Sequence, residues 1–259
     1  MKPLPEIRMS QARPMLDDRP MAKRVGLIAL ATDHTSEVDF QRMVAGPRIG
    51  VYVARIDYAN PTTPENLRKM QPSLTEGARL ILPGEELDAI CYSCTSASAV
   101  IGDDEITAAI QAAKPGVPVV TPTLASVRGL RALGVSKISV LTPYTVETSR
   151  PMAAYFAGHG FELVNFTCLG FDDDREMARI PPALLIELAR DAIAPGAEAL
   201  FISCTALRAA GVAADIEEAI GRPVVTSNLA SAWNCLRLCG DDKAHPELGR
   251  LMTMPLAAD

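Results

Sequence analysis

One short phrase occurs twice in the sequence, with a cysteine near its centre each time. The first copy, Ile90–Ser96, reads ICYSCTS, and the second, Phe201–Ala206, reads FISCTA. Each copy follows an apolar run. A thiolate can remove a proton or attack carbon, and a thiol can return a proton. We therefore expect Cys94 and Cys204 to act as an acid–base pair.

Two further phrases are repeated in the same order. Pro118–Ser126 (PVVTPTLAS) matches Pro223–Ser231 (PVVTSNLAS), and Arg24–Leu30 matches Lys137–Thr142. Repeats of this length, with α/β patterning, predict a duplicated domain rather than a solenoid. Two similar halves related by a pseudo-twofold axis would place the two cysteines opposite each other, with the active site in the cleft between domains.

Short β-rich apolar runs alternate with helical stretches from residue 24 onward, which predicts an α/β fold of two similar Rossmann-like domains with parallel sheets. The predicted strands are 24–31, 49–56, 87–93, 117–121, 137–142, 162–167, 198–203 and 223–226. Helical spacing covers 64–82, 103–113 and 182–194, with crossover helices over 124–133 and 229–238.

The domain limits follow from the repeats and the crossovers. Residues 1–22 contain four prolines and form a predicted irregular arm. The first α/β domain takes residues 23–123 plus 232–259, so the C-terminal tail is expected to pack on it. The second domain takes residues 124–231. An arm of this kind can lie over a neighbouring subunit, and we expect a homo-oligomer.

Ligands of parallel α/β sheets bind beyond the carboxyl ends of the strands, where both cysteines lie. Amides of a following helix would bind carboxylates and lower the thiol pKa. Thr95, Ser96 and Thr205 add hydroxyl donors beside the thiols. A strand cysteine is often an inert buried hydrophobe, but the retention of this cysteine in both copies favours a functional pair.

Two other strand ends carry polar residues at the same level. Asp33 and His34 follow the first strand, and Tyr144 and Thr145 end the matching strand of the second half. Asp33 could bind a substrate ammonium or cap the next helix, and His34 could polarise a group or shuttle a proton. Tyr144 could contact substrate or be a rim aromatic.

Composition excludes several classes of function. The chain has 259 residues and a net charge of −6, without a basic cluster, which argues against nucleic acid. An apolar run of about 18 residues is missing, so we expect no membrane span. Six cysteines in a chain this long indicate free thiols in the cytoplasm. Without metal-binding His spacing or a glycine-rich phosphate loop, we expect neither a metal nor a cofactor.

The twin Ser-Cys-Thr strand ends, the Leu141–Tyr144 phrase and the Pro-Val-Val-Thr repeats resemble the aspartate/glutamate racemase superfamily. Within it, the chain resembles the group of maleate isomerases, arylmalonate decarboxylases and ectoine-utilisation racemase-like proteins. The Ala29–Glu37 phrase is most similar to the last of these. The resemblance implies cofactor-independent chemistry by Cys94 and Cys204, with Tyr144 as a substrate-contacting phenol.

The chain also departs from these relatives. The decarboxylases keep only the second cysteine, and maleate isomerases carry asparagine where Asp33-His34 stands and in the region of 172–174. We therefore expect a racemase or isomerase of a small carboxylate or amino acid derivative. Ectoine degradation is a candidate pathway for this activity. The alternatives are a decarboxylase that uses Cys204 as proton donor, a maleate cis-trans isomerase, or a small-molecule binding protein without catalysis.

Overall fold

The computed structural model describes residues 3–257 and contains two four-stranded parallel sheets. In the first sheet the strand order is β2-β1-β3-β4, and in the second it is β6-β5-β7-β8. The predicted α/β fold with two similar parallel sheets is confirmed. The strands are β1 Lys23–Leu30, β2 Ile49–Ile56, β3 Ala89–Tyr92, β4 Val119–Val120, β5 Lys137–Tyr144, β6 Glu162–Phe171, β7 Ala199–Ile202 and β8 Val224–Thr226.

Helices connect the strands on both faces of each sheet. They are α1 Ser36–Met43, α2 Pro64–Arg68, α3 Gln71–Leu80, α4 Thr95–Ile101, α5 Asp103–Gln111, α6 Pro122–Ala132, α7 Val146–Gly158, α8 Asp174–Met177, α9 Pro182–Ala192, α10 Ala213–Ile220 and α11 Ser227–Leu238. Short 3-10 turns cover Ala210–Val212, Pro246–Leu248 and Arg250–Thr253.

The central strands are apolar because helices cover both of their faces. Every residue of β3 and β7 is buried, as is β1 from Arg24 onward. Strands β3 and β7 end immediately before Ser93 and Ser203, the serines that precede Cys94 and Cys204. The repeated phrase is therefore the end of a fully buried strand followed by a polar turn, and the buried sheet fixes the position of each thiol.

One helix predicted over 64–82 is two helices in the structure. The first, α2, ends at Arg68, and α3 begins at Gln71 with Pro72 in its first turn. Proline has no backbone N–H and clashes with the preceding turn, so it is accepted at a helix start but interrupts a helix interior.

The crossover helices α6 and α11 pack on each other, and each contacts both halves of the chain. Helix α6 packs on α11 and contacts β8 of the second sheet, whereas α11 contacts α1, β3 and β4 of the first half. The chain thus enters the second half through α6 and returns through α11. The domain limits drawn from the sequence remain a prediction.

The C-terminal segment differs from the expectation that it packs on the first domain. The turn Arg250–Thr253 contacts β8 and α11, and the Arg250 amide donates to Glu217 of α10. Trp233 Nε1 and Arg237 Nε both donate to the Met254 carbonyl. These donors, together with burial of Leu251, hold the tail against the second sheet and the return helix.

Residues 3–22 form neither helix nor strand, and the side chains of Leu4, Ile7, Met9, Met15 and Leu16 are exposed. Within the described residues, the helices are all too short or too polar to cross a bilayer.

Candidate active site

Both cysteines of the repeated phrase line one pocket between the two sheets. Its free volume is about 20 Å³, which is room for one or two water molecules. The pocket takes residues from both halves of the chain: Leu30, Asp33, Tyr58, Thr62, Cys94, Ser96, Tyr144, Asp174, Met177, Cys204, Thr205 and Ala206. The two thiols, one from each half of the chain, therefore lie together in one narrow site.

Cys94 occupies the position before the first turn of α4. Its backbone is extended, with φ −154°, and the helix begins at Thr95. Ser96 Oγ lies 3.7 Å from Cys94 Sγ, and the amide of Ala97 points to the same sulfur. This arrangement is the one expected from the sequence, because amides at the start of a helix stabilise a thiolate.

Cys204 lies in a different local structure, although its phrase is nearly the same. A turn and a 3-10 helix follow it, and the next α-helix begins only at Ala213. The expected helix after this cysteine is therefore absent from this part of the chain. The amides of Ala206 and Leu207 point to the Cys204 sulfur instead.

The backbone of Cys204 is strained. Its φ is +98°, in a region that side chains other than glycine rarely adopt. The strand β7 holds this residue on one side, and Ser227 Oγ accepts a hydrogen bond from its amide at 3.0 Å on the other. Such strain is concentrated at functional sites, so the geometry singles out Cys204 among the six cysteines.

Burial raises the pKa of both thiols, to about 11 for Cys94 and about 12 for Cys204. The Ala97 amide and Ser96 hydroxyl pull the Cys94 pKa down, whereas the Asp174 carboxylate pushes it up. The Tyr144 hydroxyl and two amides pull the Cys204 pKa down, and charge on Cys94 raises it. Burial thus outweighs the amides and hydroxyls, so the lowered thiol pKa expected from the sequence is not what this site produces.

Four of the other predicted site residues, Asp33, Ser96, Tyr144 and Thr205, line this pocket. Tyr144 is buried, and its hydroxyl reaches both Cys204 and Ser96. Thr205 Oγ1 donates to the Ser93 carbonyl at 3.2 Å, which ties the second cysteine phrase to the first.

Three predicted site residues do not line the pocket. Thr95 Oγ1 donates to Ser227 Oγ at 2.8 Å, and that same oxygen accepts from the Cys204 amide. Thr95 therefore positions the second thiol from the first half. Thr145 caps α7 by accepting from the Thr148 amide. His34 is exposed and lines a separate surface cavity with Arg42 and Arg208.

Asp33 lines the pocket and also caps α1. Its Oδ1 accepts from the amides of Thr35 and Ser36 at 2.7 and 2.8 Å, and its Oδ2 accepts from Ser36 Oγ at 2.5 Å. Burial raises the pKa of this carboxyl, and these hydrogen bonds oppose the rise. Most of its acceptor capacity is used by its own turn.

Five lining residues were missed by sequence reasoning: Leu30, Tyr58, Thr62, Met177 and Ala206. Asp174 was considered only as part of the region of 172–174, where maleate isomerases carry asparagine. Tyr58 and Thr62 follow β2, and Asp174 and Met177 follow β6, which is the matching edge strand of the second half. The matching of these two strand ends is the signal that could have found them.

The loops after β2 and β6 close over the pocket by direct hydrogen bonds. Asn60 Nδ2 donates to Asp173 and to Asp174, both at 2.9 Å. The Thr62 amide donates to the Asp172 carbonyl at 2.6 Å, and Thr32 Oγ1 donates to Asp174. The pocket is thus covered from both halves. Across residues 3–257, no group of three or more His, Cys, Asp or Glu residues could hold a metal ion.

Comparison with known proteins shows relatives with enzymatic activities. The chain is 34% identical to arylmalonate decarboxylase of Bordetella bronchiseptica over 139 residues, which are 52% of this chain and 58% of that relative. It is 26% identical to maleate isomerase of Nocardia farcinica over 241 residues, 89% of this chain and 95% of the relative.

Solved structures share the fold across nearly the whole chain. Maleate isomerase of Pseudomonas putida S16 superposes with a TM-score of 0.81 at 21% identity, covering 89% of this chain and 98% of that one. A liganded arylmalonate decarboxylase variant gives 0.79 at 28% identity, covering 88% and 98%. The arylmalonate decarboxylase family matches residues 62–252, and the chain therefore belongs to the arylmalonate decarboxylase family.

Proposed function

We propose that this chain is a cofactor-independent enzyme that moves a proton on the carbon next to the carboxylate of a small acid or amino acid derivative. One observation carries the proposal: Cys94 and Cys204 line the same narrow pocket, one from each half of the chain. Two acid–base groups that reach one substrate from different halves can act on its two faces.

In the proposed reaction one cysteine is a thiolate and the other a thiol. The thiolate takes the proton from the carbon, which leaves an enolate-like carbanion, and the other thiol gives its proton to the opposite face. The two cysteines exchange protonation states, and the substrate is racemised or isomerised. The amides of Ala97, Ala206 and Leu207 lie beside the sulfurs, where negative charge develops.

The electrostatics of the pair support a single ionised thiol. Charge on Cys94 raises the pKa of Cys204, so a second ionisation is disfavoured once the first has occurred. Like charges in one site keep one group protonated. An enzyme that needs one base and one acid at the same time is served by this coupling.

A decarboxylase is the second candidate, favoured by the family and by the strained backbone of Cys204. A malonate-type substrate would lose carbon dioxide, and the Cys204 thiol would protonate the remaining carbanion. Maleate cis-trans isomerisation is a third candidate, because several relatives carry that name. There a thiolate would add to the double bond, and rotation would precede its release.

The physiological substrate in this proposal is a small carboxylate or amino acid derivative, and the resemblance to ectoine-utilisation proteins makes an ectoine-degradation intermediate a candidate. We further propose a cytoplasmic homo-oligomer that works without a metal or cofactor. A two-lobed binding protein without catalysis is the non-enzymatic alternative.

Solvent-isotope incorporation separates these candidates. The chain is incubated in deuterated buffer with single enantiomers of amino acids, with malonates and with maleate, and followed by NMR. Racemisation places deuterium at the carbon next to the carboxylate and produces the other enantiomer. Decarboxylation releases carbon dioxide, isomerisation yields fumarate, and a binding protein does none of these. The Cys94→Ala/Cys204→Ala double variant is the control.

A further inference from the structure

We propose that Asp174 selects substrates that carry an ammonium group on the reacting carbon, so that an α-amino carboxylate is preferred over the matching malonate. The inference rests on the proposed function, because it assumes that the thiol pocket binds the substrate. It adds the class of substrate and the residue that sets it.

Asp174 is a buried carboxylate with acceptor capacity left over. It is 7% exposed and lines the thiol pocket. Asn60 Nδ2 donates to its Oδ1 at 2.9 Å, and Thr32 Oγ1 donates to its Oδ2. A carboxylate accepts about four hydrogen bonds, so about two sites remain for a ligand.

Asp33, the other carboxylate of the pocket, is less able to receive an ammonium group. Three donors from its own turn already occupy it, at 2.5 to 2.8 Å. Its role as the cap of α1 is thus sufficient to explain its burial. The Asp174 carboxylate, at the start of α8, accepts hydrogen bonds from the Thr32 and Asn60 side chains of the opposite half of the chain.

The charges of the residues that line the pocket determine which class of substrate is favoured. Among the described residues that line it, none is lysine, arginine or histidine, and two are aspartates. A malonate would bring two carboxylates into this site without a cationic side chain to pair with. An amino acid would pair its ammonium with Asp174 and place its single carboxylate on the amides and hydroxyls beside the thiols.

Matched ligand pairs test the selection by isothermal titration calorimetry. Alanine is compared with methylmalonate, and phenylglycine with phenylmalonate, because each pair differs only by ammonium in place of carboxylate. We expect the unmodified protein to bind the amino acid more tightly in at least one pair. Asp174→Asn should lower that preference by about tenfold or more, the size of one charge-assisted hydrogen bond.

Asp33→Asn is the matched comparison, since it removes the same charge from the same pocket and should lower the preference less. Asp174→Ser, a second neutral variant, keeps the test valid if Asp174→Asn does not fold. Preference for the malonate in the unmodified protein, no binding of either amino acid, or an unchanged ratio in a folded Asp174 variant would overturn the inference.

Deuterium incorporation, measured on the same samples, distinguishes failure of the Asp174 inference from failure of the proposed function. Amino acids that bind with the expected preference but never exchange their α-proton support the inference and contradict the catalytic proposal. Exchange that proceeds with an unchanged ratio in the Asp174 variants supports catalysis and contradicts the selection.

Discussion

The two thiols are chemically alike but sit in unlike surroundings. Cys94 begins a helix, whereas Cys204 is held at a φ of +98° between a strand and a turn. Each is reached by a hydroxyl and by backbone amides from its own half. In the proposed reaction each thiol therefore serves one face of the substrate. We expect the loss of one cysteine to remove proton transfer at one face only.

Single-cysteine variants test this division of labour. Cys94→Ala should abolish racemisation but leave exchange of the α-proton with solvent for one enantiomer, because the remaining thiol serves one face. Cys204→Ala should show exchange of the other enantiomer. NMR of each enantiomer in deuterated buffer measures this. Full activity in Cys94→Ala with none in Cys204→Ala would support the single-thiol decarboxylase.

The pH dependence of the rate follows from the raised thiol pKa values. Because burial raises them to about 11 and about 12, the thiolate fraction of the free enzyme grows about tenfold per pH unit between pH 7 and 9. We expect kcat/KM for proton removal to rise accordingly. The rate of a step in which a protonated thiol only donates a proton should not change with pH over this range. A flat exchange profile would contradict a thiolate base.

At the scale of elements, a buried carboxylate joins the first and last helices of the sheet domains. Asp39 of α1 accepts from Asn228 Nδ2 of α11 at 2.8 Å, and Asn228 also donates to the Thr205 carbonyl. Burial raises the pKa of Asp39 from 3.8 to about 6. This contact supports the turn that carries Cys204, at a cost in stability once Asp39 ionises.

The stability lost when Asp39 ionises depends on pH. A carboxyl whose pKa is raised by folding stabilises the fold below about pH 4, and this contribution is lost as the pH rises through about 6. Asp39→Asn does not titrate, so its stability relative to the unmodified protein should grow from pH 4 to 7, by at most about 3 kcal/mol. Urea unfolding at several pH values measures the difference.

Asp191→Asn, at an exposed position of α9, is the matched control for removal of one negative charge. Equal pH dependence of unfolding for Asp39→Asn and the unmodified protein would show that Asp39 does not carry this cost. A loss of stability in Asp39→Asn that is the same at every pH would reflect the changed hydrogen bond to Asn228 and not the ionisation of Asp39.

Most elements could be predicted from the sequence because the buried strands are apolar runs bounded by turn residues. The strand order could not, since pairing between distant strands leaves no local pattern. Pro72 explains why the predicted helix over 64–82 is divided into two helices, because proline is accepted at a helix start but disfavoured in a helix interior. The turn after Cys204 also escaped prediction, because the two copies of the phrase are nearly the same and only tertiary contacts make their backbones differ.

The candidate site could be predicted only where the repeated phrases carried it. The repeat pointed to Cys94 and Cys204, which share one pocket. Asp33 and His34 are neighbours at a strand end, and the sequence could not tell which faces inward. Asp33 is buried and His34 is exposed. Tyr58 and Met177 lie outside the repeated phrases, so only the folded chain shows that they line the pocket.

At the scale of the whole molecule, the two halves enclose the site. Hydrogen bonds cross between them from Thr35 to Ala206, and from Thr148 to the Thr62 carbonyl. The remaining free volume of about 20 Å³ is too small for an amino acid or a malonate. Substrate access therefore requires the halves or their covering loops to separate, as in enzymes with closing lids.

Asn60 is the residue whose loss should favour this opening. Its side chain donates to Asp173 and Asp174 and accepts from the Asp174 amide, so it is the main side-chain link between the loops after β2 and β6. Loss of hydrogen bonds worth about 1 kcal/mol each should shift the balance toward open forms by about tenfold or more. Asn60→Ala should therefore expose the thiols more often.

Alkylation by iodoacetamide at fixed pH, followed by mass spectrometry of the cysteine peptides, measures this exposure. Modification of Cys94 and Cys204 should accelerate in Asn60→Ala, while the partly exposed Cys168 serves as an internal reference. Asn165→Ala is the matched control, because Asn165 lies on β6 and donates to the Ala192 carbonyl of α9 and not to the covering loops. Equal acceleration in both variants would indicate general loosening of the fold. Unchanged rates in Asn60→Ala would mean that access is governed elsewhere, since this narrow pocket must widen before iodoacetamide can reach either sulfur.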